Sequence, residues 1–441
     1  MDFLAELRQR ALLHDFTPGL EDHLASERPV TAYIGFDPTA PSLTIGNYVP
    51  IMLLKLFQRS GHQPIMLFGG ATGRIGDPSG KDAERQLKST EEIEANLAAQ
   101  RAQAERLLRV EPGSGLQDQL RDVRFVDNFE FYRDFSALDF LRQVGKTLTV
   151  NYMMSKDSVR KRLESGISFT EFSYQLLQGY DFERLYADYG CTLQMGGSDQ
   201  WGNITAGTEF VRRNLGGKAY GLTAPLLTKA DGSKFGKSES GNIWLDPELT
   251  SPYRFYQFWL DASDADLGTY LRYFSLRDTA ALLADAAVVA AHVGGDDRYA
   301  EVRAIKLALA EELTGRIHGP EALAGAQAAT ELLFNRKAGP EQLAALDLGA
   351  LRTIAAEIPS ATVARALFDE RGALVTELLS DHGGVADSRS EARRAVENNA
   401  VSVNKRKVTD PTTRIGPDAL LHGRYLLIEN GKKNKAILEV A

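Results

Sequence analysis

The stretch Tyr33-Ile-Gly-Phe-Asp-Pro-Thr-Ala-Pro-Ser-Leu-Thr-Ile-Gly-Asn47 decides the fold. Its lead-in, Val30 to Phe36, is a short β-rich apolar run of the kind that makes a buried strand. Asp37-Pro-Thr-Ala-Pro41 interrupts any regular structure. Gly46 and Asn47 then open a helical pattern that runs to Arg59, with Ile51, Leu54 and Phe57 recurring every three residues and Leu53 beside them. Ser60 and Gly61 stop it, glycine being well suited to a left-handed helix end. Pro64 to Phe68 reads as the following strand. A strand–helix–strand unit of this kind predicts an α/β fold with a parallel sheet and a right-handed crossover. The loop and helix start fall at the carboxyl end of the first strand, where open α/β sheets bind ligands and where free N–H groups attract phosphate. A glycine needed only for a tight turn is the plainer reading of Gly46, and this unit alone leaves both open.

Composition narrows the classes around that unit. The chain has 441 residues, 43% hydrophobic, which is enough for a large core and two to four domains. A single cysteine, Cys191, excludes a disulfide framework and a multi-cysteine zinc site. It reads as a small buried apolar residue in a reducing compartment. There is no run of 18 apolar residues and the N-terminal segment is not a signal peptide, so a soluble cytoplasmic protein is expected, with no membrane partner. Net charge is −8, but it is unevenly placed. Residues 382–441 carry 11 Lys and Arg against 7 Asp and Glu, a net of +4, while the remaining 40 basic and 52 acidic residues give −12. A basic tail on an acidic body points to a local nucleic-acid contact, with a mixed solvated surface as the alternative.

Further along, Phe68-Gly-Gly-Ala-Thr-Gly-Arg-Ile-Gly-Asp-Pro-Ser-Gly-Lys81 packs glycines beside Asp77, Arg74 and Lys81. Such glycines let backbone approach a ligand closely. Thr90 to Leu108 is charged and Ala-rich and reads as an exposed helix, followed by a turn at 111–115. Residues 123–165 are rich in aromatic and aliphatic side chains that serve either a core or a subunit interface. Phe169 to Tyr180 reads as a helix on which Tyr174, Gln178 and Asp181 share one face, a polar stripe suited to a pocket wall. Leu193 to Gly202 runs from a strand into a Gly-rich polar loop, and Pro225 to Thr228 reads as another strand. The loop Lys229 to Glu239 nearly matches a phosphate-binding P-loop, but Gly232 and Gly236 are separated by three residues instead of four. Lys234 and Lys237 on so flexible a loop suit a polyphosphate whose charge shifts during reaction. Residues 251–336 read as helical. At the end, Ser388 and Glu391 form a capping box, Val401 to Val403 a strand, and Asn430-Gly431 the turn of a hairpin. Arg393, Arg394, Lys405, Arg406 and Lys407 gather there.

Taken together these motifs resemble a bacterial tyrosyl-tRNA synthetase, a class I aminoacyl-tRNA synthetase, over nearly the whole chain. The resemblance rests on Tyr33-x-Gly35-Phe-Asp37-Pro-Thr39, on Gly69 to Gly80, on Tyr174-x-x-x-Gln178-x-x-Asp181, on Gly197-Ser-Asp-Gln-Trp201 and on Lys234-Phe-Gly-Lys-Ser238. It implies a Rossmann-like parallel-sheet catalytic domain over 1–247, an α-helical domain over 248–345 and an α+β S4-like RNA-binding domain over 360–441. It also implies a tyrosine site formed by Tyr33, Asp77, Tyr174, Gln178, Asp181 and Gln194. ATP would lie on Gly35, Asp37, Gly46, Gly197, Asp199, Gln200 and Lys237. The reaction would be served by Thr39, Thr44, Asn47, Lys81, Arg85, Lys234 and Lys237, and tRNA by the five cations of the terminal module. ATP enters as substrate with Mg2+, with no protein-bound metal or organic cofactor, and the partners are L-tyrosine, ATP, tRNA(Tyr) and a second copy in a homodimer. The implied activity is ATP-dependent activation of tyrosine and its transfer to tRNA. Thr44 and Asn47 stand where the class has histidines, which motivates the alternative of a catalytically weak relative kept for RNA or amino-acid binding.

Overall fold

The computed structural model describes residues 2–441 except 80–86, 111–119, 157–158, 161–165, 239–240, 335–338, 370 and 432–433, and gives only the backbone of Lys237, Ser238 and Phe334. Lys81, Arg85 and the turn expected at 111–115 therefore lie outside the described residues. The chain forms two compact units, Met1–Thr250 with Asp261–Leu309, and Ser251–Leu260 with Ala310–Ala441.

The first unit is built on a six-stranded sheet of β1 (Asp15–Phe16), β2 (Thr31–Phe36), β3 (Gln63–Phe68), β4 (Arg124–Asp127), β5 (Cys191–Gly197) and β6 (Tyr220–Ala224), in the order β1-β6-β5-β2-β3-β4. Five strands run parallel and the short β1 pairs antiparallel to β6. Every residue of β3 and β6 is buried, as a sheet covered on both faces requires. The order in the sheet places β2 between β5 and β3, so its carboxyl end, where Asp37 follows, opens between those two strands. The Ile45–Arg59 helix crosses back from β2 to β3 as expected, ending at Ser60 with Gly61 at φ +84°.

Two expectations change. The Thr90–Leu108 helix is not simply exposed: Ile93, Asn96, Gln100, Gln103, Ala104, Leu107 and Leu108 are buried on it. Asn96 donates to the Pro38 carbonyl at 3.1 Å and Gln100 to that of Ala40 at 2.7 Å, while Gln103 Oε1 accepts the Leu43 N–H at 2.9 Å. An irregular segment with prolines at 38 and 41 leaves backbone groups that need partners, and this amide face supplies them. Likewise the strand expected at Pro225–Thr228 lies earlier, at Tyr220–Ala224, and stops before the proline that has no ladder donor.

The stretch 243–245 ties two of the sequence motifs together. Ile45 N–H donates to the Ile243 carbonyl at 2.9 Å, Leu245 N–H to Leu43 at 2.8 Å, and Ile243 N–H to Gly236 at 3.0 Å. Gly236 sits at φ +81° with room for no side chain, since a Cβ would lie 2.8 Å from Ile45 Cγ2. Phe235 roots the lysine loop between Tyr270 and Phe274, with ring centroids at 5.1 and 5.4 Å.

The second unit combines helices, among them Pro252–Leu260, Pro320–Phe334 and Leu348–Glu357, with a five-stranded sheet. That sheet runs Arg406–Lys407, Val401–Val403, Tyr425–Asn430, Asn434–Val440, Ser360–Val363. Ser388 caps the Arg389–Glu397 helix, and Glu391 reaches back to the N–H of Asp387, one residue before the cap. Asn399, Asn404 and Lys405 hold positive φ, which makes the two tight turns around Val401–Val403.

Candidate active site

At the carboxyl ends of β2 and β5 lies a cavity of about 300 Å³. It brings together Tyr33, Gly35, Asp37, Thr39, Asn47, Asp77, Tyr174, Gln178, Asp181, Gln194, Gly197, Asp199 and Gln200, residues drawn from four separate stretches of the sequence. Gly46 and Thr44 lie at the helix start beside it, and Lys234 is exposed on its own loop. Only the backbone of Lys237 is described, in a two-residue strand paired with Gly241–Asn242.

The floor is Asp181. It is 2% exposed, and burial pushes its acid up to about 7, with the charges of Asp37 and Asp127 adding to that. Two donors act in the opposite sense: Asn128 Nδ2 lies 2.8 Å from Oδ2 and the Tyr132 hydroxyl 2.7 Å from Oδ1. Tyr33 lines the same cavity and is buried, and among the described residues its hydroxyl has no hydrogen-bond partner. An orphaned buried hydroxyl costs about 1–3 kcal/mol, a standing demand for a polar ligand atom.

Midway up, Asp37 is a hub. Thr72 donates to its Oδ1 at 2.7 Å and Tyr174 to its Oδ2 at 3.0 Å. Burial and then the Asp37 charge hold the Tyr174 phenol well above its usual range, so it stays a donor. Gly69 is obligatory here, because a Cβ would fall 2.0 Å from Asp37 Oδ1. Gln200 Nε2 donates to Asp77 Oδ2 at 2.7 Å, and Asn203 donates to Gln200 Oε1 at 3.2 Å. Gln194 Oε1 is buried and has no hydrogen-bond partner among the described residues. Among the described residues the lining holds four carboxylates, Asp37, Asp77, Asp181 and Asp199, and no Lys or Arg. Such a cavity attracts a cation such as an ammonium group and repels phosphate unless cations arrive from outside it.

Thr44 holds the start of the helix in place. It is the N-cap of the Ile45–Arg59 helix in a full capping box. Its hydroxyl donates to Asn47 Oδ1 at 2.8 Å, its own N–H donates to the same oxygen at 3.0 Å, and the Asn47 N–H returns to Thr44 Oγ1 at 3.4 Å. With its oxygen so occupied, Asn47 has only its NH2 left to offer the cavity it lines.

Sequence reasoning passed over Thr72, Asn128, Tyr132 and Asn203. Thr72 sits inside the quoted Gly-rich motif, where the glycines and charges drew the attention. Asn128 and Tyr132 lie in the apolar run 123–165, and only the fold carries them under Asp181.

The terminal module qualifies the set of five cations. Lys405 is mostly buried and paired with Glu429 at 2.8 Å, so it braces the sheet. Lys407 reaches the Asn399 carbonyl at 2.8 Å and Arg393 pairs with Glu397 at 3.1 Å. All but Lys405 are exposed.

The family described as tRNA synthetases class I (W and Y) matches residues 25–335, and the tyrosine–tRNA ligase SYY-like C-terminal domain matches 351–438. The chain belongs to the class I tRNA synthetases of this tryptophan and tyrosine family. It is 48% identical to a tyrosine–tRNA ligase of Porphyromonas gingivalis, covering 100% of both chains. A tyrosine–tRNA ligase of Bacteroides fragilis is 47% identical, with 98% of each chain covered. Among solved structures, a C-terminally truncated mitochondrial tyrosyl-tRNA synthetase of Aspergillus nidulans superposes with a TM-score of 0.65 at 29% identity, over 76% of this chain and 94% of that one.

The capping box makes a direct prediction. Thr44→Val removes the hydroxyl from the helix cap and lowers stability by about 1 kcal/mol, whereas Thr44→Ser keeps the bond and stays within a few tenths. Urea unfolding of the full chain measures both. Equal stability of all three proteins would remove the cap from the account.

Proposed function

We propose that the chain is a tyrosine–tRNA ligase that joins L-tyrosine to ATP, giving tyrosyl-adenylate and pyrophosphate, and then passes the tyrosyl group to the terminal ribose of tRNA(Tyr). The observation that carries this reading is the orphaned Tyr33 hydroxyl at the foot of the cavity whose floor is the buried Asp181 carboxylate. A phenol hydroxyl fits both partners, donating to the carboxylate and accepting from Tyr33. Phenylalanine would leave the Tyr33 hydroxyl unpaired, at a cost of about 1–3 kcal/mol, and would give Asp181 no donor beyond Asn128 and Tyr132. Asp77, Tyr174 and Gln178 suit the substrate ammonium, and the acidity of the wall reinforces them.

In the first step the tyrosine carboxylate attacks the α-phosphorus and pyrophosphate leaves, so no covalent enzyme intermediate is needed. The chain's work is alignment and stabilisation of developing phosphate charge. The amide NH2 of Asn47, the hydroxyl of Thr39 and the N–H groups at the Ile45–Arg59 helix start offer donors at the cavity mouth. Lys234 and Lys237, with Lys81 and Arg85, supply the cations that the described lining of the cavity does not contain. Mg2+ accompanies ATP as part of the substrate.

The reading extends to assembly. Leu138, Leu141, Val150 and Phe169 are 79%, 52%, 59% and 73% exposed and lie in or beside the apolar run 125–165. A face of that kind supports a homodimer. No described helix is long and apolar enough to cross a membrane, and we place the enzyme in the cytoplasm.

Asp181→Ala is expected to lower tyrosine-dependent ATP–pyrophosphate exchange at least a hundredfold while leaving ATP affinity within about threefold, the loss of a hydrogen bond to a charged group being roughly 1.5–3 kcal/mol before the emptied site is counted. Exchange close to wild type would overturn the pocket assignment. For the terminal module, the double charge reversal Arg394→Glu with Arg406→Glu is expected to weaken tRNA binding and flatten its salt dependence, with tyrosine-dependent exchange unchanged. Filter binding across a salt series measures this, and undiminished tRNA affinity would leave the module a structural appendage.

A further inference from the structure

Asp181 is gripped from below by a side chain that does not line the cavity. Tyr132, at the end of the short Phe129–Tyr132 helix that follows β4, directs its hydroxyl to Asp181 Oδ1 at 2.7 Å and to the Leu177 carbonyl at 2.8 Å. Its ring is set against Tyr180 and Phe140, with centroids at 5.6 and 6.4 Å. We propose that Tyr132 is a positioning residue for tyrosine choice, its hydroxyl holding the Asp181 side chain as a carboxylate with lone pairs open toward the phenol site. This rests on Asp181 being the acceptor of the substrate phenol.

The argument is one of charge and hydrogen-bond capacity. A carboxylate offers about four acceptor positions. Tyr132 takes one on Oδ1 and Asn128 one on Oδ2, which leaves capacity for a substrate hydroxyl. The groups that act on Asp181 are the carboxylates of Asp37 and Asp127, which disfavour its charge, and the phenols of Tyr33, Tyr132, Tyr174 and Tyr180 around it. No described Lys or Arg lines the cavity to offset them. Burial pushes the Asp181 acid up to about 7, so its charge near neutral pH depends on its two hydrogen-bond donors. When Asp181 is protonated, Tyr132 can turn its proton to Leu177 instead. The bond to the carboxylate is the charge-assisted and stronger one, so the hydroxyl favours the ionised state.

The sign of the effect follows. Removing the hydroxyl favours the protonated acid, and activity that needs the carboxylate is lost first on the acid side. Tyr132→Phe keeps the ring and its packing. In ATP–pyrophosphate exchange with the full chain, its tyrosine KM is expected to rise about tenfold at pH 6 and less than about twofold at pH 8.5, the pattern of an acid moved up by about one pK unit. Its ATP KM should match wild type at both pH values, which also reports correct folding. A tyrosine KM unchanged at both pH values, or raised by the same factor at both, overturns the proposal, as does an equal rise in the ATP KM. Asp181→Asn is run in parallel. If it loses tyrosine-dependent exchange at both pH values while Tyr132→Phe shows no pH-selective effect, this inference fails and the Asp181 assignment stands. If Asp181→Asn retains exchange close to wild type, the assignment itself fails.

Discussion

A buried carboxylate in a cavity that no described Lys or Arg lines is the constraint around which the site is arranged. Removing an ionised group from water is costly unless it is hydrogen-bonded, and Asp181 meets that demand with Asn128 and Tyr132. Those two donors have to be held in turn. Asn128 accepts the Ala71 N–H at 2.8 Å and donates to Thr72 at 3.0 Å, and Thr72 donates to Asp37. Asp37 then accepts from Tyr174. A connected polar network thus joins β4, the Gly-rich loop, the end of β2 and the Phe169–Tyr189 helix. The glycines of the loop make that closeness possible, since a side chain at Gly69 or Gly70 would collide with Asp37 or Asp127.

The mouth of the cavity obeys a second constraint. The irregular segment 37–43 carries two prolines and must satisfy its carbonyls and amides outside any sheet. Asn96, Gln100 and Gln103 do so from one side. From the other, the 243–245 stretch pairs with Leu43, Ile45 and Gly236. The helix start and the lysine loop therefore share one piece of backbone as a hydrogen-bonding partner. Phe235, sunk between Tyr270 and Phe274, sets where the loop leaves that anchor.

Much of this was legible in the sequence, for identifiable reasons. The β2–helix–β3 unit had strong periodicity and a glycine stop. The stripe Tyr174, Gln178, Asp181 had helical spacing, and the structure lines the cavity with all three. Other features were out of reach. The Thr90–Leu108 helix read as exposed because it is charged and Ala-rich, and only the neighbouring loop reveals what its buried amides bind. Tyr132 sat among aromatic residues of an apolar run, with nothing to separate a core phenol from one that grips a carboxylate 49 positions away. Lys405 looked like a free cation, and its partner Glu429 is visible only once the hairpin is folded. Thr44 read as a lost histidine, although Thr followed three residues later by Asn is also a helix cap.

The central claim is that the Tyr33 hydroxyl and the Asp181 carboxylate define a site for a phenol. ATP–pyrophosphate exchange by the unaltered full-length chain tests it, with L-tyrosine, L-phenylalanine and L-tryptophan supplied in turn at matched concentration. The account predicts exchange with tyrosine and a loss of several orders of magnitude with phenylalanine, which would leave the Tyr33 hydroxyl unpaired and offer Asp181 no hydroxyl. Comparable exchange with phenylalanine or tryptophan would contradict it.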